Sequence, residues 1–147
     1  MTTQELAGRG AQQPTLHELA DRQAITDLVS RLGAWLDDKR FDDAPSVLTE
    51  DVSVATPGGT AQGIERVAGQ ARRNHEGYET HHVITNVLVD LDGDRAAARA
   101  NLTVTFAGPE AQFSMGERYR FEARRTPDGW RLSRIEVAPV WRSGSPA

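Results

Sequence analysis

Apolar residues recur at Ile25, Leu28, Val29, Leu32, Trp35 and Leu36, the i, i+3, i+4, i+7 spacing of a helix with one buried face. Thr15 and Glu18 stand just upstream at the spacing of a capping box, so the helix is predicted to start there and to end near Asp37. Asp43-Ala44-Pro45 opens a short second helix reaching Leu48, with an acidic cap and a proline in its first turn. Val52 to Ala55 reads as a strand closed by Pro57-Gly58-Gly59. Ile64, Val67, Ala68 and Ala71 return to helical spacing and mark a third helix, which Gly77 terminates.

Beyond Gly77 the pattern becomes that of strands, with runs at 80–91, 95–107, 112–125 and 130–140. Asp92-Gly93 joins the first pair as a two-residue hairpin turn, and Pro127-Asp128-Gly129 joins the last. Helices followed by a β-meander predict an α+β domain in which helices cover one face of a curved sheet and leave a pocket between the layers. The domain spans 14–142, with 1–13 a disordered leader and 143–147 a flexible tail.

Counting outward from Asp92-Gly93 without a bulge sets His82 opposite Thr103, Ile84 opposite Asn101 and Asn86 opposite Arg99. One face of this hairpin is then polar. The other carries His81, Val83, Val87 and Val89 against Ala96, Ala98, Leu102 and Val104. A bulge exchanges the two histidines.

Composition narrows the function classes. A chain of 147 residues, 38% hydrophobic and 26% charged, suits one compact domain. The absence of cysteine excludes a disulfide framework, a thiolate zinc site and a cysteine nucleophile, and fits a cytoplasmic protein. No run approaches the ~20 apolar residues of a membrane helix, and no secretory signal is visible, so neither membrane nor export is expected. A net charge of −4 with no basic block argues against nucleic acid. Arg118, Arg120, Arg124 and Arg125 read as strand-surface charges.

Thr80-His81-His82-Val83-Ile84-Thr85-Asn86 holds two of the four histidines, the residue type that exchanges protons near neutral pH. Adjacent strand residues point to opposite faces, so His81 and His82 do not share a metal ion. No metal motif, phosphate-binding glycine loop or serine elbow is present, and no metal or cofactor is expected. Trp35 and Tyr78 are candidates for a pocket mouth, although Trp35 also fits the apolar stripe. Trp130 and Trp141 read as sheet packing, and His17 and His75 as solvent-facing.

Several pieces together resemble the SnoaL-like branch of the nuclear transport factor 2-like superfamily. They are Ile25-Thr26-Asp27-Leu28 through Trp35-Leu36-Asp37-Asp38, the Thr80–Asn86 segment, Leu91-Asp92-Gly93-Asp94-Arg95-Ala96, and Asp128-Gly129-Trp130-Arg131-Leu132, in the family's order. The resemblance implies a cone-shaped α+β barrel, three N-terminal helices packed on a curved mixed or antiparallel sheet enclosing a pocket. It also implies a homodimer, for which Val83, Val87, Val89, Ala98 and Leu102 would supply the outer sheet face.

Among the family's dehydratases and dehydrochlorinases the resemblance makes His82 a base and Asp37 the carboxylate that orients it, with His81 and Asp38 as alternatives. Such a carboxylate fixes the tautomer and raises the imidazole's basicity. Asn101 and Thr103, on the His82 face by the count above, would hydrogen-bond a developing oxyanion. Tyrosines that some family members carry are replaced here by Leu36 and Val52-Ser53-Val54, and a lysine of others by Leu32. The implied function is a cofactor-independent lyase, isomerase or cyclase acting on a small, largely apolar molecule. The alternative is a non-catalytic small-molecule-binding or accessory protein of the same fold.

Overall fold

The computed structural model describes residues 12–146. Helix α1 (Leu16–Asp37) begins with the predicted capping box, in which Thr15 accepts from the Glu18 backbone and Glu18 accepts in return. It ends in a Schellman turn. Arg40 N–H donates to the Trp35 carbonyl at 3.1 Å and Lys39 N–H to that of Leu36 at 3.2 Å, with Lys39 in the left-handed region at φ 54°. The predicted second helix is instead a 3-10 turn (Phe41–Ser46), because Asp43 leaves helical geometry at φ −97°, ψ 23°.

Strands β1 (Leu48–Thr56) and β2 (Gly59–Gln62) form a hairpin whose second strand the sequence reading omitted. Helix α2 (Ile64–His75) follows, then β3 (Glu79–Asp92), β4 (Arg95–Ala107), β5 (Gln112–Thr126) and β6 (Gly129–Gly144). The sheet order is β2-β1-β6-β5-β4-β3, antiparallel throughout except for the parallel β1–β6 pair. β6 takes in Ser143 and Gly144 of the predicted tail, which pair with Ser114 and Phe113. Most of the predicted leader lies outside the described residues.

The core lies between the sheet's inner face and α1, whose Ile25, Val29, Leu32 and Trp35 are buried. Burying each such side chain contributes roughly 1.5–3 kcal/mol. Asp21 anchors the other end of α1, accepting from Arg125 at 2.6 Å and from the Trp130 indole at 3.1 Å. No helix among the described residues is long and apolar enough to cross a membrane.

The loop between β3 and β4 is Gly93-Asp94, one residue later than the predicted Asp92-Gly93, because Asp92 still pairs with Arg95, and farther along the register slips again. Leu91 faces Ala96 and Leu88 faces Arg99, yet Thr85 faces Asn101 and His82 faces Val104. Asn86, with φ 57°, supplies the extra residue of this bulge. Alternation restarts there, so His82, Ile84, Val87 and Val89 all turn inward. The apolar outer face expected from Val83, Val87, Val89, Ala98 and Leu102 therefore does not form. Ala98 and Leu102 are buried, Val87 and Val89 pack on the core, and only Val83 stays exposed.

Candidate active site

Asp37 is the last residue of α1, where the Schellman turn leaves its carboxylate against the start of β3. A negative charge at a helix C-terminus is unfavourable with the dipole, so it needs donors. It has three: the His82 backbone N–H at 2.9 Å, the His82 ring Nδ1 at 2.6 Å and the Thr80 hydroxyl at 3.0 Å. Burial acts to raise its pKa, but these bonds outweigh burial and hold the carboxyl below the ordinary aspartate value.

The His82 side chain is 2% exposed. Burial pushes its pKa below the ordinary histidine value, and the Asp37 carboxylate opposes that shift without cancelling it. The expectation that Asp37 makes this imidazole more basic than usual is thus corrected: desolvation is the larger effect. At neutral pH the pair is an ionised carboxylate and a neutral imidazole. Nδ1 carries the proton and donates it to Asp37, which leaves the Nε2 lone pair as the basic site.

His75, read from sequence as solvent-facing, is buried at the end of α2. Its Nδ1 donates to the Ala71 carbonyl at 2.7 Å, and its ring lies 5.5 Å from that of His82 and 5.4 Å from Phe106. Burial lowers its pKa to about 4. The Lys39 ammonium nitrogen is also buried, without a partner among the described residues, and its charge opposes protonation of both rings. Phe106 stacks on Phe113 at 4.7 Å, and Tyr78 meets both edge-on, completing an aromatic wall.

The structure thus brings together Asp37 and His82. Asp38 is exposed near Arg40, and His81 is exposed on the opposite side of β3. Asn101 and Thr103 are corrected: the bulge leaves them exposed on the outer face, opposite Thr85 and Val83, away from the His82 ring. Trp35 is 1% exposed and packs edge-on against Phe41, which makes it core and not a pocket mouth. Tyr78 is half-buried behind Phe106. Five hollows of about 440–690 Å³ are lined by neither Asp37 nor His82; the His82 side chain is enclosed, while that of Asp37 stays 20% exposed.

Two inner-face residues escaped the sequence reading. Glu117 and Tyr119 are buried in phase with Phe121 and Ala123, while Arg118, Arg120 and Glu122 point outward. Period-two counting along 117–123 was the signal that exposes them. Burial raises the pKa of the Glu117 carboxyl, and burial together with Glu117 raises that of the Tyr119 hydroxyl. Among the described residues no three His, Asp or Glu side chains converge as a metal site would require.

Helices laid over a six-stranded, mostly antiparallel sheet, with an interior Asp–His pair, define an α+β fold of the nuclear transport factor 2-like class. The chain belongs to the SnoaL-like domain family, whose model matches residues 17–136. It is similar to an uncharacterised protein of Mycobacterium tuberculosis, 34% identical over 125 residues, covering 80% of this chain and 84% of that one. Among solved structures, one provisionally described as an aromatic ring hydroxylase from Novosphingobium aromaticivorans superposes with a TM-score of 0.79 at 27% identity, covering 91% of this chain and 96% of that one. A hexachlorocyclohexane dehydrochlorinase shares the fold, with a TM-score of 0.80 at 22% identity and coverage of 90% and 93%.

Proposed function

We propose that this protein is a cofactor-independent acid–base enzyme of the lyase, isomerase or cyclase type. His82 Nε2 removes a proton from an activated C–H bond of a small, largely apolar substrate, and Asp37 holds the ring in the required tautomer. The observation that carries this reading is the 2.6 Å Asp37–His82 bond, made by a ring that is 2% exposed. A buried neutral imidazole with one nitrogen tied to a carboxylate presents its other lone pair at low desolvation cost. Membership of a family whose fold also hosts a dehydrochlorinase supports elimination chemistry.

Thermal-shift screening against hydrophobic ketones and enols identifies ligands, because binding raises apparent stability by mass action. Turnover of any such ligand should fall about 10²–10⁴-fold in His82→Ala and His82→Gln. An unchanged rate in a folded variant refutes the role of His82.

A second reading is a non-catalytic binding or accessory protein, favoured by the closed packing around the His82 ring. Ligands that raise stability yet are never transformed by the wild type would select it.

A further inference from the structure

We propose that Glu117 is the proton-donating partner of His82, protonating an oxygen of the substrate as His82 removes a neighbouring C–H proton. This rests on the acid–base reading above and names its substrate class: uncharged β-hydroxycarbonyl compounds and molecules with the same arrangement of acidic C–H and leaving oxygen.

The placement follows from register. His82 is opposite Val104, which is opposite Met115, and Ile84 is opposite Leu102, which is opposite Glu117. Directly opposed residues share a face, so Glu117 lies on the same inner face as His82, two strands across and one alternate position along. Strand spacing and rise set their Cα atoms about 12 Å apart, with Leu102 and Val104 as the floor between them. A small molecule seated between the imidazole and the carboxyl has to displace the side chains that now cover Leu102 and Val104, which are 2% and 1% exposed.

Glu117 has no other evident employment. It is 8% exposed and makes no hydrogen bond or ion pair among the described residues, whereas the next residue in β5, Arg118, is exposed. Its carboxyl oxygens keep some contact with solvent, and when protonated the group retains an O–H that seeks an acceptor. The chain also bends at this point: register between β5 and β6 shifts between Gly116 and Glu117, where Pro139, lacking an N–H, stands opposite Glu117. Bulges are enriched where strands re-aim side chains beside active sites. Burial raises the acid's pKa, which favours the protonated form that a donor needs.

The step balances without a further reactant. His82 Nε2 takes the proton α to the carbonyl, the C–H electrons form a C=C bond, and the C–O bond at the β carbon breaks. The departing oxygen takes the Glu117 proton and leaves as water. The imidazolium proton returns to the Glu117 carboxylate through water, restoring both groups.

Benzisoxazole and its nitro derivative test this, because a base opens each by removing its ring C–H with cleavage of the N–O bond, and the phenoxide that leaves needs an acid far more in the parent compound. Expected is a loss of about tenfold or more in kcat/KM for benzisoxazole in Glu117→Gln, with only about a threefold loss for the nitro compound. Glu117→Asp should recover part of the benzisoxazole rate, and the wild-type pH profile should show an alkaline limb absent from Glu117→Gln. An equal loss on both compounds, no loss, or a wild type without that limb overturns the role of Glu117 while leaving His82 untouched. Rates unchanged in His82→Ala overturn the base itself. A wild type that turns over neither compound argues against a substrate space between the two residues, and the proposal falls.

Discussion

His75 is the residue at which burial has its clearest electrostatic consequence, with a pKa of about 4 against an ordinary 6.5. Between those values the unfolded chain binds more protons than the folded one, so stability is full above pH ~6.5 and declines as pH falls toward ~4. For His75 the loss approaches about 3 kcal/mol, and His82, shifted in the same direction, adds to it. Denaturant unfolding at a series of pH values should show this decline, and His75→Phe, which keeps a ring against Phe106, should flatten it. A curve equally steep in the variant removes His75 as the cause. The candidate site was partly legible at this scale. Asp37 was reached through the family resemblance, which places a carboxylate where the apolar stripe of α1 ends. His75 was not, since its position late in an amphipathic helix gave no hint that the aromatic wall closes over it.

At the scale of elements, the meeting of α1 with β3 depends on the absence of a side chain at Gly33. A Cβ there would lie 2.9 Å from Ile84 Cδ1 and 3.5 Å from His82 Cβ. Gly33→Ala displaces only the mobile tip of Ile84 and gains helix propensity, so it should be nearly neutral. Gly33→Leu should cost about 1–3 kcal/mol through overpacking. It should also part Asp37 from His82, which the loss of the downfield His82 Nδ1–H signal in NMR spectra would report. A retained signal at wild-type stability contradicts this account of the contact. Helix and strand locations were legible because periods of 3.6 and 2 differ plainly in this chain. The inward or outward sense of β3 was not, because counting from Asp92-Gly93 passes through Asn86. The same miscount placed Asn101 and Thr103 on the wrong face.

For the whole molecule, the outer sheet face retains a groove of about 690 Å³ bordered by Leu88, Arg99, Arg120, Arg134 and Glu136. Exposed Val83 and Leu88 lie on the same side of β3. We propose that this face, in place of the apolar set first expected, mediates a homodimer. Analytical ultracentrifugation at micromolar concentration should give about twice the 16.1 kDa chain mass, and Leu88→Arg should halve it; a single 16.1 kDa species in the wild type refutes the dimer. The layered architecture was readable from element order, because helices ahead of a meander have few ways to bury both apolar surfaces. The parallel β1–β6 contact was not, since it joins segments far apart in the chain without a local turn to announce it.

Asn86 divides β3 into two stretches of opposite parity, like a change of reading frame in a coding strand. A relative lacking one residue there, while keeping the Gly93-Asp94 turn and the same identities upstream, would have an unbroken ladder that still presents the position equivalent to His82 to the helix-end carboxylate; a relative of unchanged length with an unbroken ladder would present that of His81 instead. In aligning members of this family, a gap set at the Asn86 position therefore keeps the inward-facing histidines in one column, and leaving it out shifts them onto their outward-facing neighbours.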